Sequence, residues 1–262
     1  MVGRAALFSG TLFLLTHLNG GDEDQERVRR EVHAAGGGII VLNAQGHPVL
    51  LEGRDQAEID LASRRGSAGP GVVLLCDPSK GEPLKVTMKL LLGLALGVLP
   101  RPLTWFRACV RAGRITEPLA TQQLRLPIPA AARPRGAAAA AAPRTPSGGP
   151  SPLLEGFVVV LLGSDMWRSA TGWSLLLRTA GASTRTELPP SHHGGLETRR
   201  CVVLVEKDAD ASACRGLLER AAARGIPSAS QEWVKQCLLQ GRICDVQDYP
   251  VAVAKGAKQP KL

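Results

Sequence analysis

Residues Trp105 to Ile115 read WFRACVRAGRI, and residues Trp233 to Ile243 read WVKQCLLQGRI. Trp, Cys, Gly, Arg and Ile recur in register, and Gly97 and Gly225 each stand eight residues before their tryptophan. In a helix, positions i, i+4 and i+8 drift slowly round one face, so each segment predicts a helix with Trp and Cys inward and Gly at its end. Ser230 is placed to cap the second copy, with Glu232 near the positive end of the dipole, and Pro102 takes the corresponding place in the first. One such helix would be ordinary. Two copies, each in the same place of a similar pattern, require a duplicated module.

The rest of the chain lays out accordingly. Each module opens on an apolar strand, TLFLLT (11 to 16) or GFVVVLLG (156 to 163), followed by a helix ending in small residues. The terminal glycines, 36 to 38 in one copy and Gly181 in the other, fit a left-handed helix end before the next strand. IIVLN and STRTEL then supply a second strand, and GVVLLCD and CVVLVEKD a third. TMKLLLGLALG and SACRGLLERAAARG read as helices ending on Gly97 and Gly225. Short strands alternating with helices predict parallel α/β sheets. Between the modules, PIPAAARPRGAAAAAAPRTPSGGPSP holds almost nothing a core could use, which makes it a linker. The boundaries are therefore 1–125, 126–153 and 154–262, with residues 44–69 expected to form a surface excursion.

A net charge of +9 would suit a nucleic acid if it were concentrated. It is spread thinly, at 14 basic against 12 acidic residues over 1–120 and 14 against 10 over 156–262, so nonspecific polyanion attraction is the most it implies. Six cysteines without a CxxC pair or metal-ligand spacing read as small buried thiols, the usage of a reducing compartment. The opening MVGRAALFSGTLFLLTHL has the early Arg and apolar run of a signal peptide. No small-x-small pattern closes it, and TLFLLT reads as a buried strand. LLLGLALGVL is about half the length a membrane span requires. Met1 lies almost on the first strand, which raises the expectation of a truncated chain.

The glycine pair after the first helix, the small turn before the fourth strand and the terminal helix built on Trp-x-x-x-Cys resemble the BRCT domain, in tandem. The resemblance implies an α/β fold of two BRCT domains, each a four-stranded parallel sheet flanked by three helices. In it Trp105, Trp233, Gly36 and Gly181 are structural. It also implies a nuclear adaptor in the response to DNA double-strand breaks. Such tandems hold a phosphoserine in the first module, and the matching residues are Thr16, the N–H of His17, and Lys89. An N–H at a strand end and an ammonium give charge-assisted hydrogen bonds to a dianion. Leu217 stands where the second module would need its lysine. Upstream of Lys89, KVTM supplies only Lys85 where family members carry further basic side chains. The implied partners are a phosphorylated protein tail, that of a histone variant, and p53 through the first module and the linker. The Ala/Pro composition of the linker argues against the p53 contact.

No catalytic residue, metal ligand or cofactor is expected. His192 and His193 in SHHGGLE are adjacent histidines of a loop without metal-ligand spacing, and HAAGGGI ends a helix where a dinucleotide site would need a strand-to-helix turn. No nucleophile motif or triad emerges, which argues against an enzyme. The alternative reading is a tandem that binds an unphosphorylated protein face and has no working phosphate site. A third is nonspecific nucleic-acid binding by the linker and the tail with Lys255, Lys258 and Lys261.

Overall fold

The computed structural model describes residues 6–18, 22–43, 48–51, 71–78, 84–117, 124–128, 151–163, 172–190, 200–207 and 209–251. The chain divides into two compact units, Met1–Pro150 and Ser151–Leu262.

The first unit runs β1 (Leu12–Leu18), α1 (Asp22–Ala34), β2 (Gly38–Leu42), β3 (Pro48–Leu50), β4 (Val72–Asp77), α2 (Met88–Ala95), β5 (Pro100–Pro102) and α3 (Leu103–Ala112). Its strands lie in the order β3-β2-β1-β4-β5, so β1 is central. β1 pairs in parallel with β2 and β4, and β4 with β5. The expected four parallel strands are present, but the sheet has a fifth. β3 pairs antiparallel with β2, Val41 opposite Val49. It comes from the stretch read as a surface excursion, where Val49 is 2% exposed and Leu50 39%. Its apolar run is too short to carry a periodic signal.

Alternation along the strands separates two faces. On one, Phe13, Leu15 and Leu75 pack with Val28 and Val32 of α1 and with Trp105, Phe106 and Cys109 of α3. Three of the chain's four phenylalanines meet here, with Phe8 lying 5.3 Å from both Phe13 and Phe106. That concentrates a scarce resource, because aromatic rings bury more apolar area than any other side chain. α2 covers the other face and is buried from Leu90 to Ala95, with Gly93 seated against Leu74. α1 is amphipathic by contrast. Asp22, Glu23 and Asp24 complement its positive end, and Arg27 pairs with Asp24 at 2.7 Å.

The second unit runs β6 (Val158–Leu162), α4 (Gly172–Thr179), β7 (Ser183–Arg185), β8 (Cys201–Val205), α5 (Ala211–Ala223), β9 (Ser228–Ser230), α6 (Gln231–Gln240) and a 3-10 turn at Val246–Asp248. Its four strands are all parallel, in the order β7-β6-β8-β9. Cys214 and Ala221 of α5 pack on Val160, Leu162, Val203 and Val205. Trp233 is fully buried and lies 5.9 Å from Phe157.

The repeated helix segment has the same job in both units. Trp105 Nε1 donates to the Thr116 carbonyl at 2.6 Å, and Trp233 Nε1 to the Cys244 carbonyl at 3.0 Å. The Cys109 and Cys237 sulfurs accept the N–H of the same two residues, at 3.5 and 3.2 Å. Tryptophan and cysteine together thus tie down the chain leaving the helix. Gly113 and Gly241 close the helices in the left-handed region, with φ of 65° and 64°. Ser230 occupies the N-cap of α6, but its side chain makes no capping bond. Its N–H donates to the Tyr249 carbonyl at 3.0 Å, and it pairs with Val205 at the end of β9.

All six cysteines are buried and unbridged. Among the described residues no helix is long and apolar enough to cross a membrane, and no cluster of His, Cys, Asp and Glu could hold a metal. His192, His193, nearly all of the linker and the basic tail lie outside the described residues.

Candidate phosphate-binding site

At the C-terminal end of central β1 the ladder to β4 breaks register: Thr16 pairs with Cys76 and Leu18 with Asp77. His17 is the extra residue, a bulge with φ of 51° and the one described non-glycine at positive φ. A bulge of this kind re-aims the backbone at a strand end, where ligands of open α/β sheets bind.

α2 starts beside it. Thr87 has the extended backbone of an N-cap, and its hydroxyl accepts from the Leu90 N–H at 3.2 Å. The same oxygen lies 2.9 Å from the Thr16 hydroxyl. In the first turn of α2, the Lys89 ammonium donates to the Leu15 carbonyl at 3.2 Å. Thr16, His17 and Lys89 are therefore brought together, with Thr87 added. Thr87 is not among the site residues expected from the sequence, where KVTM stands out only by its basic residue. A Thr directly before an apolar helical run is an N-cap signal and could have found it.

Burial sets the electrostatics. Lys89 is held below its ordinary pKa by desolvation and, second, by the Arg29 charge. An anion arriving beside it would favour the charged ammonium and so oppose both effects. His17 is likewise lowered by burial and then by Lys85, which favours the neutral imidazole. Its Nδ1 lies 3.3 Å from the Thr16 hydroxyl, and its Nε2 is buried without a partner. Two hydroxyls, an ammonium, a bulge and the start of a helix make a setting that suits a tetrahedral oxyanion.

Strand register identifies the counterparts in the second unit. Leu12 and Val158 both open the ladder to the third strand, which places Leu162 at the position of Thr16. Aligning the tryptophans places Arg215 at Thr87 and Leu217 at Lys89. Leu162 and Leu217 join the apolar core there. The second unit has filled the equivalent position with hydrocarbon.

Residues 152–251 match the family model of the BRCA1 C Terminus (BRCT) domain. The architecture of the chain is that of two BRCT folds in tandem. Among solved structures, the BRCT5-BRCT6 domains of S. pombe Brc1 are similar with a TM-score of 0.51 and 14% identity, covering 92% of this chain and 97% of that one. At that identity the likeness is one of fold. Residues 820–1070 of yeast Rtt107p give a TM-score of 0.49 at 11% identity, covering 89% of this chain and 87% of that one. A complex structure of Rtt107p with a phosphorylated histone gives 0.48 at 11%, covering 89% and 88%. No curated protein matches the sequence of this chain.

Proposed function

We propose that this chain is a non-enzymatic adaptor of the nuclear response to DNA double-strand breaks, and that its first unit holds a phosphoserine in a partner's tail. One observation carries the reading. Thr16, Thr87, His17 and Lys89 converge at the end of β1, and Leu162 and Leu217 replace the first and last of them in the second unit. The phosphate accepts from the Thr16 hydroxyl, the His17 N–H and the Lys89 ammonium.

The choice of partner rests on a closer resemblance. LFSGTLFLLT and SQEWVKQCLLQGRI are similar to the opening strand and final helix of the C-terminal tandem of p53-binding protein 1, and HHGG at His192 falls where that protein carries paired histidines. The partner so implied is the phosphorylated tail of a histone variant in damaged chromatin. The same resemblance implies p53 as a second partner, through the first unit and the linker, but the Ala/Pro composition of the linker argues against that contact. The family match of the second unit and the shared fold support the module class.

Titration calorimetry of the full chain with matched peptides, phosphorylated and not, tests this. The phosphoserine form should bind at least about tenfold more tightly, a difference of roughly 1.4 kcal/mol, and Lys89→Met should abolish the difference. Equal binding of both forms overturns the phosphate site. Partner binding unchanged by Lys89→Met would establish the alternative, an unphosphorylated protein face.

A further inference from the structure

On the face of the first unit that carries α1 and α3, a cleft of about 520 Å³ lies between the two helices. Ala34 and Ala35 line one side, with Phe106 and Val110 on the other. Glu31 and Arg107 span it in a two-pronged ion pair, Nε to Oε2 at 2.9 Å and Nη2 to Oε1 at 3.0 Å. That pair fixes the separation of the helices and neutralises the cleft's one carboxylate.

Asp24 and Asp77 also act on Arg107, which leaves Arg111 as the one charged lining residue outside the ion pair. Arg111 stands one turn after Arg107 on α3 and Arg114 just past the helix end at Gly113; both are exposed with no ion pair among the described residues. Val110, which lines the cleft, is 38% exposed, and Ile115, past the helix end, 56%. The second unit differs at the same positions. Leu238 and Leu239 stand for Val110 and Arg111, and each is 3% exposed. The first copy thus has an open, arginine-edged apolar cleft where the second has buried leucines.

We infer that this cleft docks a short acidic segment of a partner protein, an apolar side chain entering between Ala34 and Val110 while carboxylates meet Arg111 and Arg114. The volume suits a few side chains. Charge complementarity selects acidic over basic sequences, and the apolar floor selects a peptide over a nucleic acid, whose phosphates would leave the floor empty. The surface is independent of the β1–α2 site.

Fluorescence anisotropy of the full chain with a labelled Asp/Glu peptide carrying a Leu-x-x-Leu pair tests the inference. Saturable binding is expected. It should weaken at least about tenfold with Val110→Asp or with Arg111→Glu plus Arg114→Glu, and should be unchanged by Lys89→Met. Replacing the leucines by serine, or the acids by Asn and Gln, should weaken it comparably. Amide exchange of the unmutated chain gives a second readout that needs no variant, with protection expected at 31–35 and 104–112. Absence of saturable binding overturns the proposal. So does equal binding of the serine peptide, or displacement of the probe by a short DNA duplex with no effect of Val110→Asp.

Discussion

The hydroxyls of Thr16 and Thr87 lie 2.9 Å apart, one ending β1 and the other capping α2. Thr16 is 7% exposed, so its hydroxyl depends on Thr87 and His17 for partners. Thr87→Val removes the cap and strips Thr16 of one partner, and should cost about 1–3 kcal/mol in urea unfolding. Adding Thr16→Val removes the orphaned hydroxyl as well. The double variant should therefore lose less than the sum of the two single losses, and simple additivity would show the hydroxyls to be uncoupled.

His17 makes stability depend on pH. Its folded pKa lies below the ordinary 6.5, first through burial and then through Lys85, so the unfolded chain takes up its proton at higher pH than the folded one. Stability should fall as pH drops through 6.5 and level off below the folded pKa. His17→Asn tolerates the left-handed backbone but does not titrate. Unfolding midpoints compared across that range should show a shallower decline in the variant. An identical decline would place the pH dependence elsewhere.

The duplication was legible because Trp, Cys and Gly answer a periodic demand of one helix, and aligning Trp105 with Trp233 exposed the contrast between Lys89 and Leu217. Helix ends were legible through glycine: Gly36, Gly97, Gly181 and Gly225 all have positive φ. Other features were hidden because they depend on tertiary pairing. Antiparallel β3 is a three-residue run defined by its pairing with β2 rather than by its own sequence. Ser230 takes the N-cap position its type suggests, but its side chain makes no capping bond. The role of Thr87 depends on Thr16, 71 residues away. The bulge at His17 is a mismatch between two strands, which neither strand's sequence contains.

Trp233→Phe keeps most of the buried ring but removes the donor to the Cys244 carbonyl. A buried acceptor left unpaired, together with the lost ring volume, should destabilise the second unit by roughly 2–4 kcal/mol. Trp105→Phe, which removes the bond to Thr116, should act similarly on the first. Fragments 151–262 and 1–150 measured separately would check this. A loss below about 0.5 kcal/mol in both would show that water serves the carbonyl equally well.

Gly181 and Gly113 both end helices at positive φ, 95° and 65°, but their surroundings differ. A Cβ at Gly113 would meet nothing within 4 Å, whereas one at Gly181 would collide with Pro152 and press on the Glu155 N–H. Gly113→Ala should therefore cost only the conformational penalty, about 1 kcal/mol. Gly181→Ala adds overpacking of the chain entering β6, for a total on the order of 3 kcal/mol. Gly36→Ala should resemble Gly181→Ala, because its Cβ would collide with Ala6 at the matching place in the first unit. Thermal unfolding of the three variants separates the contributions. Equal losses at all three positions would mean that backbone conformation alone, and not the close approach of the preceding chain, requires glycine there.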